Sequence, residues 1–151
     1  MIELMRTTSS NPDFAWLVAH LDQELWARYP DLQHLYAPLD KITNNNNVIV
    51  AYHHKKPVGC GCFNIYDSQT IEIKRMFVEP AHRSKGIAGS ILAELEDWAQ
   101  ELNFSRILIE TGFLQPEALH LYKKSGYTIV GNYGPYADMD TSVCMEKVLS
   151  D

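Results

Sequence analysis

Apolar positions recur along this chain with two different periods, and the changes of period mark its elements. Ile2 to Thr7 alternates as a strand, and Ser10-Asn11-Pro12-Asp13 then supplies a cap, a first-turn proline and an acidic first turn. Phe14, Leu17, Val18, Leu21 and Leu25 follow at three- and four-residue spacing, which predicts a helix up to about Tyr29, broken by Pro30. Leu32 to Lys41 allows a short second helix, and Asn44 to Asn47 reads as a turn. Val48 to His53 and Val58 to Tyr66 read as a β-hairpin whose tip, Lys55-Lys56-Pro57, is basic. Thr70 to Val78 is a third strand of this run, closed by Glu79-Pro80.

Beyond it, Ile87, Ile91, Leu95, Trp98 and Leu102 form one stripe of a helix running from near Gly86 to about Asn103. Arg106 to Thr111 is an apolar strand, and Pro116 opens a helix that ends at Gly126 with Lys123 and Lys124 in its last turn. Tyr127 to Val130 and Val143 to Val148 complete the sheet, separated by the turn-rich segment Gly131 to Thr141. The order β, α, α, three strands, α, β, α, β, β predicts one α/β (α+β) domain over 1–151, a mixed sheet with helices on both faces. No internal repeat is present.

The segment Arg83-Ser84-Lys85-Gly86-Ile87-Ala88, between a strand and an amphipathic helix, has the composition of a diphosphate cradle. A helix leaves its first four N–H groups without intrahelical partners and carries partial positive charge at that end. This helix has no carboxylate until Glu94, while His82, Arg83 and Lys85 crowd its approach and Gly86, Ala88 and Gly89 keep side chains out of the way. A Walker loop needs Gly-Lys-Ser/Thr, whereas the order here is Ser84-Lys85-Gly86; a dinucleotide fingerprint needs a glycine triplet that is absent.

Composition narrows the possibilities further. The 151 residues, 46% apolar and 21% charged, suit one globular domain with a sizeable core. A net charge of −6 disfavours a general nucleic-acid binder, and no apolar run is long enough to span a bilayer. Three cysteines without framework spacing, Cys60, Cys62 and Cys144, argue for reduced thiols in a soluble, cytoplasmic protein. Cys60 and Cys62 near His53-His54 raise the question of a metal, but adjacent histidines point to opposite strand faces and cysteine is usually a small core residue, so none is expected.

The loop matches Arg/Gln-x-x-Gly-x-Gly/Ala after a strand, and resembles the acetyl-CoA signature of the GNAT acetyltransferase superfamily. Two further parts agree: the strand Glu72-Ile73-Lys74-Arg75-Met76-Phe77-Val78 and the helix Glu117-Ala118-Leu119-His120-Leu121-Tyr122-Lys123-Lys124-Ser125-Gly126-Tyr127, which carries the pattern Ala-x-x-Leu-Tyr-x-x-x-Gly-Tyr. The first signature has Ala88 where many members carry glycine. The element order resembles the GNAT fold from end to end, and so implies a mostly antiparallel sheet whose fourth and fifth strands splay into a cleft. The resemblance implies acetyl-CoA as co-substrate, held by the backbone of Met76, Phe77 and Val78 and by Arg83, Ser84, Lys85, Gly86, Ile87, Ala88, Gly89 and Ser90, with a backbone N–H near Met76 or Phe77 polarising the thioester carbonyl. It also implies direct acetyl transfer to a primary amine of a small molecule or peptide in a ternary complex.

A lysine-like amine, with a reference pKa of about 10.4, is neutral in only about one part in a few thousand at pH 7, so a base is needed. Glu72 occupies the strand position of the catalytic glutamate in the histone-modifying branch of the family; an ordinary ion pair with Lys74 on the same strand face is the alternative, and Glu110 is the reserve base. Tyr122 matches the family's acid for the departing thiolate, although a packing tyrosine on the stripe Ala118, Leu121, Tyr122, Ser125 would look similar. Cys144 as an acyl-accepting nucleophile has no identifiable base. Glu24, Tyr29, His34 and Tyr36 from the early helices, and Tyr133, Tyr136, Asp138 and Asp140 from the late loop, offer carboxylates and aromatic faces for an ammonium group, or a homodimer interface. A non-catalytic acyl-CoA sensor would keep the loop and need neither Glu72 nor Tyr122.

Overall fold

A computed structural model describes residues 1–42 and 44–149. The elements are β1 (Ile2–Thr7), α1 (Pro12–Arg28), α2 (Gln33–Asp40), β2 (Val48–His53), β3 (Lys56–Ile65), β4 (Thr70–Val78), α3 (Ile87–Glu101), β5 (Arg106–Gly112), α4 (Pro116–Lys124), β6 (Thr128–Val130) and β7 (Ser142–Val148), with short 3-10 turns at Pro80–His82 and Gly134–Tyr136. The strands form one mixed sheet in the order β1-β2-β3-β4-β5-β7-β6. The chain divides into two compact units, Met1–Asn64 with Lys74–Leu95, and Ile65–Ile73 with Glu96–Asp151.

In the first unit, α1 starts where the capping sequence places it, with the Asn11 side chain accepting from the Asp13 N–H at 2.8 Å and Pro12 in the first turn. Phe14, Leu17 and Leu21 pack on Val48 and Val50 of β2 and on Cys60, Cys62 and Phe77, all nearly fully buried. The opposite face of β3 carries Gly59 and Gly61, where an added Cβ would lie 3.0 to 3.1 Å from Ile91 and, at Gly61, 2.5 Å from the Met76 sulfur. The missing side chains let α3 lie close on that face, so the strands of this unit are sandwiched between α1 and α3. The Asn44–Asn47 segment is an Asx-type turn: Asn45 Oδ1 accepts from the Asn47 N–H at 2.7 Å, and its Nδ2 donates to the Phe63 carbonyl at 2.9 Å.

In the second unit, β5 pairs antiparallel with β7 from Arg106↔Val148 to Gly112↔Ser142, and β6 adds to β7. β4 joins β5 in parallel only from Thr70↔Arg106 to Ile73↔Ile109, so the ladder uses four of the nine residues of β4. Helix α4 ends as its sequence dictates: the Ser125 N–H bonds to Leu121 and Tyr122 carbonyls, and Gly126 takes the left-handed φ of 97°. Among the described residues no helix is long and apolar enough to cross a membrane.

Candidate active site

The first intrahelical bond of α3 is from the Ser90 N–H to the Gly86 carbonyl at 3.1 Å, which leaves the amides of Ile87, Ala88 and Gly89 ahead of the ladder. No acidic residue occupies the first turn. Gly86 has φ 80°, a conformation that favours glycine, and nothing lies within 4 Å of where its Cβ would be. Ser84 also has positive φ, at 65°, and Ser84, Lys85, Gly86 and Ser90 are exposed. The backbone at Gly86 is therefore open, and no carboxylate of the first turn opposes an anion there, which is what a diphosphate requires.

Arg83 is fixed from inside this unit. Its Nε donates to the Val78 carbonyl at 2.8 Å, its guanidinium pairs with Glu24 at 2.9 Å, and it lies 5.6 Å from the centroid of Phe77. The loop is thereby tied to the end of β4 and to α1. Glu24, expected to meet an acceptor, is engaged by Arg83 and, at 3.8 Å, by Arg28; Tyr29 is buried against Tyr36.

Arg75 is the residue the sequence reading missed. It sits mid-strand with φ 59°, in the left-handed region that is uncommon for a non-glycine residue, immediately before Met76. Its buried guanidinium pairs with Asp22 of α1, lies 3.7 Å from Asp40 at the end of α2, and bonds to the Val18 carbonyl at 3.4 Å. These groups line a cavity of about 410 Å³ walled by α1 and α2, together with Phe14, Val18 and Trp26. The alternation Ile71-Glu72-Ile73-Lys74 puts the next residue, Arg75, on the apolar face, and that was the available signal. Lys74 Nζ donates to the Leu39 carbonyl at 2.6 Å. Burial holds the Asp40 carboxyl above the ordinary range, opposed by the charges of Arg75 and Lys74.

In the second unit Glu72 is met by Tyr133, whose hydroxyl donates to Glu72 Oε2 at 2.6 Å. The Tyr133 ring is held edge-on between Tyr66 and Tyr136 at 5.5 and 5.6 Å, and Tyr136 is fully buried. Asn132 Nδ2 secures the same loop by donating to the Met139 and Ser142 carbonyls. Burial, then the Glu72 charge, pushes the Tyr133 phenol far up, so it is a permanent donor. Tyr122 is likewise buried, and burial followed by the Glu110 charge raises its phenol. Cys144 is buried with its thiol pushed up to about 11, chiefly by desolvation, which is unsuited to a nucleophile. The thiols of Cys60 and Cys62 donate to strand carbonyls, and among the described residues no group of three or more His, Cys, Asp or Glu is placed to hold a metal.

With this geometry in place, comparison with known proteins assigns the family. The acetyltransferase (GNAT) family profile matches residues 9–127. The chain belongs to the GNAT acetyltransferase family. It is 36% identical over 141 residues to an IAA acetyltransferase of Azospirillum brasilense, covering 88% of each chain. Among solved structures it resembles a protein described as an acyl-CoA N-acyltransferase from Klebsiella pneumoniae, with TM-score 0.82 and 29% identity over 99% of each chain. It shares its fold with an N-acetyltransferase of Thermoplasma acidophilum solved with coenzyme A, at TM-score 0.71 and 14% identity over 98% of this chain and 99% of that one. This GNAT chain is an acetyl-CoA-dependent N-acetyltransferase, and the open end of α3 fits the diphosphate of that co-substrate.

Proposed function

We propose that the chain works as one acetyltransferase domain that moves the acetyl group of acetyl-CoA to a primary amine by direct attack, in the cytoplasm. The observation that carries the reading is the end of α3, where Gly86 leaves the amides of Ile87, Ala88 and Gly89 approachable and no carboxylate intervenes. Bound acetyl-CoA supplies an activated acyl thioester. The loop Ser84 to Ser90 holds the diphosphate by backbone amides and the positive end of α3, with Lys85 adding charge; Arg83 holds the loop on Val78 and Glu24. The backbone of Met76 to Val78 orients the cofactor's arm, and an N–H of Met76 or Phe77 steadies the negative charge that develops on the acyl oxygen.

Glu72 takes the proton from the acceptor's ammonium group, and Tyr133 holds the accepting carboxylate in one orientation. Tyr122 enters the step protonated, because burial raises its phenol, and passes that proton to the leaving sulfur as the new C–N bond forms, the C–S bond breaks and the nitrogen gives up its own proton in return. The cavity walled by α1 and α2 has a lining suited to an amine ligand. Its aromatic and apolar walls, with Asp22 and Asp40 set against one buried Arg75, favour a cationic group carried on an apolar stem.

The test is thiol release from acetyl-CoA across a panel of arylalkylamines, polyamines and lysine peptides, with calorimetric titration of CoA alongside. Turnover with at least one amine class is expected. CoA binding with no turnover on any amine would instead identify a non-catalytic acyl-CoA sensor.

A further inference from the structure

The hairpin between β2 and β3 has a feature that acetyl transfer does not use. His53 pairs with Lys56, so His54 and Lys55 are the two turn residues, and both have positive φ, at 49° and 67°. That is the pattern of a type I′ turn, for which Asn-Gly is the easy choice. Two bulky side chains held in a left-handed conformation are a local conflict between sequence and backbone, and such conflicts collect at binding sites.

The same tip gathers positive charge from several elements. The His53 ring lies 4.1 Å from His54 and 5.5 Å from His82, which belongs to the 3-10 turn just before the diphosphate loop. The turn is fastened to the start of β3 by the Glu79 N–H, which donates to the Val58 carbonyl at 2.8 Å. Lys55, Lys56 and Lys85 are exposed around it, and Glu79 is engaged by His20 at 2.6 Å. His82 Nδ1 is buried without a hydrogen-bond partner. Partial burial, followed by the charges of His54, the Met1 amino group, His82 and Lys85, pushes the His53 imidazole down. The groups facing one another from β1, β2, the turn and the loop are thus amines and imidazoles, in a chain whose net charge is −6.

We infer that this histidine and lysine cluster, at the β2–β3 tip beside the diphosphate loop, binds a phosphate monoester, the 3′-phosphate on the ribose of coenzyme A. The inference rests on the acetyl-CoA reading and adds a second anchor to it. A dianion placed beside the His53 imidazole favours the protonation that its burial and neighbours oppose, so the contribution of the 3′-phosphate to affinity grows as pH falls from 8 to 6. The strained turn is retained because His54 and Lys55 act on the ligand.

Calorimetric titration with CoA and with 3′-dephospho-CoA tests this at constant ionic strength. The wild type should bind CoA at least about tenfold more tightly than dephospho-CoA, and the ratio should widen toward pH 6. In His54→Asn/Lys55→Gly, which supplies the favoured turn pair, the ratio should fall to within about twofold while Tm rises and dephospho-CoA affinity holds. His53→Gln should flatten the pH dependence of the ratio. Equal wild-type affinity for the two nucleotides, or an undiminished ratio in the turn variant, overturns the inference and leaves the acetyl-CoA reading standing. Failure of both nucleotides to bind overturns the two together.

Discussion

Tyr133 donates its hydroxyl to Glu72 Oε2 at 2.6 Å, from a loop whose other tyrosine, Tyr136, is fully buried. A carboxylate gripped in this way is held in one orientation, which a general base needs. Tyr133→Phe should lower kcat by about tenfold to a hundredfold with little change in the KM for acetyl-CoA, because the lost bond acts on the chemical step. In a Glu72→Gln background the same change should have little further effect. Independent, multiplying losses in the double variant would show that Tyr133 acts apart from Glu72.

Tyr122→Phe should lower kcat by about a hundredfold, within the usual range for a lost general acid, and leave CoA affinity intact. The phenol is buried and its ring packs 6.0 Å from Tyr127, so phenylalanine keeps the packing. Unfolding of the variant by denaturant controls for stability, and full activity would assign Tyr122 to packing alone.

Cys144 should be dispensable for chemistry. With a thiol pushed up to about 11, only about one part in ten thousand is thiolate at pH 7. Cys144→Ala should retain activity within about threefold, and alkylation of the folded protein should be slow. No acetylated Cys144 should appear by mass spectrometry after incubation with acetyl-CoA alone.

Asp40 links stability to pH. Burial raises its carboxyl in the folded chain despite Arg75 and Lys74, so the native state holds that proton to higher pH than the unfolded chain does. The wild type should therefore lose stability relative to Asp40→Asn as pH rises from about 4 to neutrality. Denaturant unfolding of both proteins at the two pH values reads the difference directly. A difference that moves the other way would mean that attraction to Arg75 outweighs burial.

Much of this molecule could be read from its sequence, for identifiable reasons. Apolar period, the Asn11-Pro12-Asp13 start of α1 and the Gly126 stop of α4 are local codes, and the elements follow them. The hairpin turn is the exception: Lys55-Lys56-Pro57 looked like its tip, yet Lys56 already pairs with His53 and the turn is His54-Lys55. Turn chemistry pointed away from two residues with large side chains at positive φ. The site was less legible, because its partners meet over long sequence distances. Nothing local joins Tyr133 to Glu72, Glu24 to Arg83, or Arg75 to Asp22 and Asp40. The chemistry of Glu24 and Tyr133 is legible in the sequence, but which group each one meets is decided by the tertiary fold.

The claim on which the account rests is that the open end of α3 receives the diphosphate of acetyl-CoA, and calorimetric titration of Gly86→Glu tests it most directly. Nothing lies within 4 Å of the position where a side chain would start, so bulk and negative charge enter only the space reserved for the ligand, with Gly86→Ala as the control for the positive φ. The account predicts affinity for acetyl-CoA at least about thirtyfold weaker in the glutamate variant than in the alanine one, the equivalent of about 2 kcal/mol at a helix end. Equal affinity in two folded variants would contradict it.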